Sequence, residues 1–325
     1  MDENSVKPVS MLRRVFNTLI LPLAMYAVLC VINPDNFLKL SSFGMVITQC
    51  LPYLAIGWSM LFGMSVGLFD FSVGSIIILA GLVGTQVSQS FGLAGFTLGC
   101  VVASVALATL VGLAFSLLRI PSIIAGFAGM LIFEAIGVNY SQTFKNSIAS
   151  ENLVLGKAPV IYIVILIMFA VVYVVFNNTK FGYQIKAIGG NEKVARSMGI
   201  NSGRLKMMTY IVGGLFLGVS TIIYVSNAGT VQAQQSMASM NICFTPMMGV
   251  MIGQLLVSCN PVVGTFIGEL CITIVSSGMV ALGIDSRLQN FIIGLFLIIF
   301  MTIQLNKDSR FFTRLLHKKQ ATSAL

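Results

Sequence analysis

The chain has 325 residues, of which 57% are hydrophobic and only 9% charged, and its mean hydropathy is +0.94. A soluble domain carries about 25% charged residues to solvate its surface, so this composition excludes a soluble protein and favours a surface that faces lipid. The net charge of +9 does not indicate nucleic-acid binding, because Lys and Arg cluster at the ends of apolar segments and are not interleaved with aromatic residues.

Ten apolar runs follow one another along the chain. Runs of about 17–25 residues are typical of membrane-spanning helices. We therefore predict an all-α, polytopic membrane protein with one transmembrane domain over residues 1–325. The predicted spans are 15–32, 43–67, 73–89, 96–118, 122–140, 160–176, 207–226, 242–257, 262–282 and 288–305.

The basic residues predict the orientation. With ten spans, both termini share one side, and that side carries fifteen of the 19 Lys and Arg residues. The other side carries only Lys39, Lys145, Lys157 and Arg287. Lys and Arg accumulate on the cytoplasmic side of membrane proteins. We therefore expect a multi-pass membrane protein with a short cytoplasmic N-terminus (1–14) and a cytoplasmic tail (306–325).

The cytoplasmic loop 177–206 is the longest predicted connection, and its centre has the signals of a short helix. Asn191 can cap the first amide groups, Glu192 and Arg196 are four residues apart, and Gly199 can end the helix. A helix this short is marginal alone. Either it lies on the membrane surface or it docks onto a soluble partner. Its predicted apolar face consists of Val194, Ala195 and Met198.

Two motifs carry a family resemblance. The loop contains Thr179-Lys180-Phe181-Gly182, then Ala187-Ile188-Gly189-Gly190-Asn191 and Gly199-Ile200-Asn201. A second motif, Gly67-Leu68-Phe69-Asp70-Phe71-Ser72-Val73-Gly74-Ser75, follows the second predicted span. In these motifs and in the order of its spans, the chain resembles the membrane permeases of ribose/galactose/xylose-type ABC importers.

The resemblance implies the pore-forming subunit of an importer for a sugar or a similar small polar solute. It implies three partners: a cytoplasmic ATP-binding subunit, an extracytoplasmic substrate-binding protein, and a second permease subunit of the same or a paralogous chain. The long loop would couple the permease to the ATPase. The implied coupling residues are Lys186, Gly189, Gly190, Asn191, Glu192, Val194, Ala195, Met198 and Gly199.

The chain departs from the family pattern at two places. Asn241-Ile242-Cys243-Phe244-Thr245-Pro246 and Ile252-Gly253-Gln254 replace the usual small-residue run near the eighth span. Glu134 stands where a basic residue is common. These departures leave the solute open and are compatible with one half of a heterodimer.

Three carboxylates are candidates for the translocation path, because ionisable groups at membrane depth face cavities or partners. Asp70 can instead cap the third span. Glu134 can instead pair with Arg287, and Glu269 lies within the ninth span.

An ion-gradient-driven secondary transporter is the main alternative, and a membrane-embedded enzyme is a weaker one. The chain lacks the phosphate-binding motif G-x-x-x-x-G-K-[ST], so we do not expect it to hydrolyse ATP. Its single histidine is His317 in the tail. We expect no cofactor, no metal and no disulfide.

Overall fold

The computed structural model describes residues 11–144, 150–255 and 260–285, together with eight single positions between 288 and 302. The regular elements within these residues are helical, and six helices are long and apolar enough to cross a membrane. The all-α prediction is therefore confirmed. The predicted span 288–305 is described only at those single positions, while Arg287 and the tail 306–325 lie outside the described residues.

The helices are numbered in chain order, and a 3-10 helix at Ser150–Gly156 lies between α5 and α6. The bounds are α1 Met11–Ile32, α2 Pro34–Phe37, α3 Leu40–Met64, α4 Val73–Leu118, α5 Ser122–Thr143, α6 Val160–Asn178, α7 Lys180–Gly190, α8 Glu192–Ser197, α9 Ser202–Ala228, α10 Met240–Leu255 and α11 Pro261–Ala281.

Helix α4 is broken in its middle. Gly92 has φ 58° and ψ −144°, which is not helical. Forty-six helical residues would extend about 70 Å, more than twice the apolar thickness of a bilayer. The two arms instead fold against each other, because a Cβ built on Gly99 would lie 3.0 Å from the Cα of Gly84. The arms correspond to the two spans predicted at 73–89 and 96–118.

Helix α3 forms the centre of the bundle. Its Trp58 is buried and donates a hydrogen bond from Nε1 to the Val262 carbonyl oxygen at 3.0 Å, which fixes α3 to the start of α11. Its Phe62 stacks on Phe216 of α9, with ring centroids 5.3 Å apart. By contrast, leucines such as Leu98 on α4 and Leu166 on α6 are exposed, as expected of helices that face lipid.

Helices α10 and α11 approach each other through glycines. A Cβ on Gly264 would lie 2.5 Å from the Gly253 carbonyl oxygen, and one on Gly268 would overlap the Gly249 carbonyl oxygen. In lipid, where no hydrophobic force drives helix association, small residues allow this close backbone contact. The two backbones therefore touch over one helical turn, from Gly249 to Gly253 of α10.

The bundle has two distinct ends. At one end, α7 lies beside the α3–α4 turn, because a Cβ on Gly189 would overlap the Ser65 carbonyl oxygen, and α8 follows α7 directly. At the opposite end, Asn33 donates to the Ala281 carbonyl oxygen at 3.4 Å, and Asn227 donates to the Gly156 carbonyl oxygen at 3.2 Å. These are called the α7–α8 end and the opposite end below.

Candidate functional site

The predicted loop 177–206 is mostly helical. Sequence analysis predicted one short helix at its centre, whereas the structure has two, α7 and α8. Thr179 caps α7 by accepting from the Gly182 amide at 3.2 Å. Asn191 caps α8 by accepting from the Lys193 and Val194 amides at 3.0 and 3.2 Å. Gly199 follows α8 with φ 84°, so both predicted boundary signals of α8 are confirmed.

The predicted apolar face of α8 divides into two parts. Ala195 is 2% exposed and packs into the main hydrophobic core. Val194 and Met198 are 53% and 75% exposed and lie four residues apart, so they share the outer face of the helix. Because docking onto a soluble partner is one of the two alternatives for α8, we call these two side chains the docking face. Sequence periodicity placed Ala195 on the same face. In the structure, its buried side chain instead packs α8 against the bundle.

Glu192 ties α8 to the first turns of α9. Its carboxylate accepts from Arg196 at 2.7 Å, from the Ser202 hydroxyl at 2.6 Å and from Lys206 at 3.0 Å. The hydrogen bond from Ser202 is the largest cause that lowers the pKa of Glu192 from 4.5 to about 2, followed by that from Lys206. A depressed carboxyl pKa stabilises the folded state above its ordinary pKa. The cluster is therefore unaffected by pH between about 5 and 8.

Asn177 ties α7 to α11 and was not singled out by the sequence. Its Oδ1 accepts from Lys186 Nζ of α7 and from Asn260 Nδ2 at the start of α11, both at 2.8 Å. Its own Nδ2 donates to the Tyr173 carbonyl oxygen at 3.1 Å, which fixes the orientation of the amide. Lys186 also lies 5.0 Å above the Phe176 ring.

The paired glycines of α7 have different environments and give a matched test. A Cβ on Gly189 would overlap the Ser65 carbonyl oxygen, whereas one on Gly190 would meet nothing within 4 Å. We therefore expect Gly189→Ala to displace α7 from α3 and to raise amide hydrogen exchange across α7, while Gly190→Ala leaves exchange unchanged. Hydrogen exchange of the purified chain, followed in a peptide over 180–190, measures both. Equal exchange in the two variants would contradict the close contact of α7 with Ser65.

Asp70 and Asn260 form the same turn at two places. Asp70 Oδ1 accepts from the Ser72 amide at 2.9 Å just before α4, and Asn260 Oδ1 accepts from the Val262 amide at 3.0 Å at the start of α11. Asn260 thereby caps α11, whereas Asp70 bonds, among the described residues, only to Ser72, which is itself the N-cap residue of α4, and α4 has no side-chain cap. Asp70 also lines a small cavity of about 50 Å³ that includes Tyr210.

Glu134 supports a strained turn. It is buried and accepts from the Met237 amide, the Ser239 amide and the Ser239 hydroxyl at 2.9, 2.9 and 2.6 Å. Ser236 and Met237 have φ values of 56° and 66°, which are unfavourable for residues with a Cβ. A basic side chain could not accept these bonds, so the acidic residue suits this turn. The alternative partner, Arg287, lies outside the described residues.

Glu269 is fully buried on α11. A Cβ on Gly57 would lie 2.7 Å from its Oε1, and one on Gly249 would overlap its carboxyl group. Both carboxyl oxygens lack a hydrogen-bond partner among the described residues. Glycines on α3 and α10 thus make room for this side chain where three helices cross.

A polar cavity of about 810 Å³ opens at the opposite end of the bundle. Neither Asp70, Glu134 nor Glu269 lines it, and none of its described lining side chains is charged. Most of them are amides, hydroxyls or phenols. These polar residues are Asn36, Gln49, Tyr53, Tyr224, Asn227, Asn241, Thr245, Thr273, Ser276, Ser277 and Gln289.

A signal for this cavity exists in the sequence but was missed. Four helices each supply polar residues three or four positions apart, which places them on one face. The pairs are Gln49 and Tyr53, Tyr224 and Asn227, Asn241 and Thr245, and Thr273 and Ser277. Asn241 and Thr245 belong to the stretch that departs from the family pattern, so that departure falls on the cavity wall.

A bundle of apolar helices around a polar cavity, with a hydrophilic helical segment at one end, defines a multi-pass membrane transport protein. Residues 41–301 match the family "Branched-chain amino acid transport system / permease component", and the chain belongs to it. It is thus a permease component of an ABC-type importer in the bacterial inner membrane, which confirms the family resemblance seen in the sequence.

Three curated relatives are autoinducer 2 import system permease proteins LsrC. The protein of Yersinia pseudotuberculosis is 25% identical over 288 residues, covering 85% of this chain and 80% of that protein. That of Yersinia enterocolitica is 26% identical over 287 residues, covering 85% and 78%. That of Yersinia pestis is 25% identical over 288 residues, covering 85% and 80%. No solved structure matches the chain.

Proposed function

We propose that this permease moves a small, uncharged, polar solute of the sugar type inward, driven by ATP hydrolysis on a separate subunit. The observation that carries the proposal is the polar cavity. Its hydroxyl and amide groups can hydrogen-bond to a polyhydroxylated solute, and a volume of about 810 Å³ is within the range of ligand sites, about 300–1,000 Å³. The relatives that import autoinducer 2 support this class of solute.

We infer that the α7–α8 end is cytoplasmic and that the cavity opens outward, in a chain of about ten spans with both termini inside. Lys186, Lys193, Arg196, Arg204 and Lys206 all lie at the α7–α8 end, as the positive-inside rule requires. Lys39 and Lys157 lie at the opposite end, before α3 and after the 3-10 helix. An extracytoplasmic binding protein would then deliver solute to the cavity.

The coupling role belongs to α7 and α8 in this proposal. Val194 and Met198 would enter a groove of the ATP-binding subunit, while Ala195 and Gly189 hold the segment on the bundle. Gly190, Asn191, Glu192 and Gly199 would set its shape, and Lys186 would link α7 to Asn177. A second permease subunit, of the same or a paralogous sequence, would complete the channel.

An ion-driven carrier receives less support. Glu134 is engaged by three hydrogen-bond donors, and neither it nor Glu269 lines the cavity. A carrier coupled to protons would need a titrating group along the solute path.

Transport in proteoliposomes tests the proposal. The chain is reconstituted with the partners that co-purify with it, and uptake of radiolabelled neutral sugars is measured with internal and external ATP and with an imposed proton gradient. We expect uptake only when ATP is present on the α7–α8 side. Uptake driven by the proton gradient without ATP, or a stable complex that lacks an ATPase, would favour the carrier.

A further inference from the structure

The α7–α8 segment is joined by side-chain hydrogen bonds to two different spans. Through Glu192, α8 is bonded to Ser202 and Lys206 of α9. Through Asn177, α7 is bonded to the cap residue of α11, because Asn177 Oδ1 accepts from both Lys186 and Asn260. Asn177 itself lies in the last turn of α6, so residues of three helices meet at one amide oxygen.

The two spans reached by these bonds are also walls of the polar cavity. The far end of α9 contributes Tyr224 and Asn227, and the far end of α11 contributes Thr273, Ser276 and Ser277. Helices of 27 and 21 residues extend about 40 Å and about 30 Å, the depth of the membrane. Because a helix is stiff along its axis, a displacement at one end moves the other.

We propose that Asn177 is a positioning residue that transmits the movement of the docked α7 helix to α11 and so to one wall of the solute cavity. The Glu192 cluster transmits the movement of α8 to α9 and the other wall. The inference rests on the proposed function, since it requires an ATPase docked on α7 and α8. It adds that the two cavity walls move through separate connections. The connection to α11 depends on Asn177, which is not part of the docking face.

The chemistry of the junction suits this role. Lys186 and Asn260 share one acceptor atom, so displacing Lys186 changes the hydrogen bond that holds Asn260. Asn260 in turn accepts from the Val262 amide, and the Val262 carbonyl oxygen accepts from Trp58. The chain of hydrogen bonds therefore extends into the first turn of α11, which Trp58 joins to α3. Loss of the Asn177 side chain removes this connection but leaves the Glu192 cluster intact.

Hydrogen exchange measured by mass spectrometry on the whole complex in nanodiscs tests the inference. Exchange is compared with and without ADP–vanadate trapping for two peptides, one over 224–231 at the far end of α9 and one over 273–281 at the far end of α11. In the wild type, we expect trapping to change exchange in both peptides. In Asn177→Ala, we expect the change at α11 to fall at least threefold while the change at α9 remains.

Two comparisons separate this role from simple loss of structure. Asn178 is exposed, and its side chain makes no hydrogen bond to any residue that the structure describes, so Asn178→Ala should behave as the wild type. Asn177→Asp keeps the acceptor oxygen and should retain the response at α11. If Asn177→Ala does not fold, Asn260→Asp keeps the cap on Val262, removes the donor to Asn177 and should reproduce the selective loss.

The possible results of the exchange experiment distinguish failure of the inference from failure of the proposed function. A full response at α11 in Asn177→Ala, or an equal loss at both ends, would overturn the inference while leaving the proposed function intact. A wild-type complex that contains no ATPase, or that responds to trapping at neither end, would overturn the inference together with the proposed function.

Discussion

Replacing Val194 with glutamate should release the ATPase subunit from the permease. Val194 is 53% exposed on the docking face, beside the still more exposed Met198. A carboxylate forced into an apolar contact loses its hydration without gaining a partner, and each 1.4 kcal/mol lost weakens binding about tenfold. We expect at least a tenfold fall in ATPase recovered with the tagged chain, and a comparable fall in ATP-driven uptake.

Val154 provides the matched control for this substitution. It is also 53% exposed, but it lies in the 3-10 helix at the opposite end of the bundle. Val154→Glu introduces the same charge at the same exposure and should leave ATPase recovery unchanged. If Val194→Glu retains the ATPase but weakens the association of α8 with anionic vesicles, the helix lies on the membrane surface instead.

The local structure of α8 was predictable because its signals are contained within nine residues. Asn191 caps the helix, Glu192 and Arg196 pair across one turn, and Gly199 follows in the left-handed region. By contrast, α7 was missed. Its Gly182, Gly189 and Gly190 disfavour a helix. Close contacts, of Gly182 with Phe176 and of Gly189 with Ser65, leave no room for a side chain at two of these positions, whereas Gly190 has open space around it.

The cavity and the Asn177 junction could not be derived from the sequence because both depend on distant residues. Asn177 and Asn260 are 83 positions apart, and the partners of Glu134 are more than 100 positions away. Without those contacts, Glu134 was indistinguishable from a residue of the translocation path. The pattern within one helix gives the face on which a polar residue lies, but not which other helices complete the site.

The second large effect is expected from a substitution at the glycine contact between α10 and α11. A methyl group on Gly264 would meet the Gly253 carbonyl oxygen at 2.5 Å, a distance that backbone atoms cannot relieve without moving the helices apart. Overpacking of this kind typically costs about 1–3 kcal/mol. We expect Gly264→Ala to lower the apparent melting temperature in detergent by several degrees and to reduce uptake, because both helices line the cavity.

Gly44 separates this effect from the general consequence of adding a methyl group to a helical glycine. A Cβ on Gly44, within α3, would meet nothing within 4 Å. Alanine is favoured over glycine inside a helix by about 0.5–1 kcal/mol, so Gly44→Ala should preserve or slightly raise the melting temperature. Since Gly264→Ala gains the same propensity, a fall in its stability measures the separation of the backbones. Equal melting temperatures for the two variants would show that α10 and α11 pack less closely than the structure indicates.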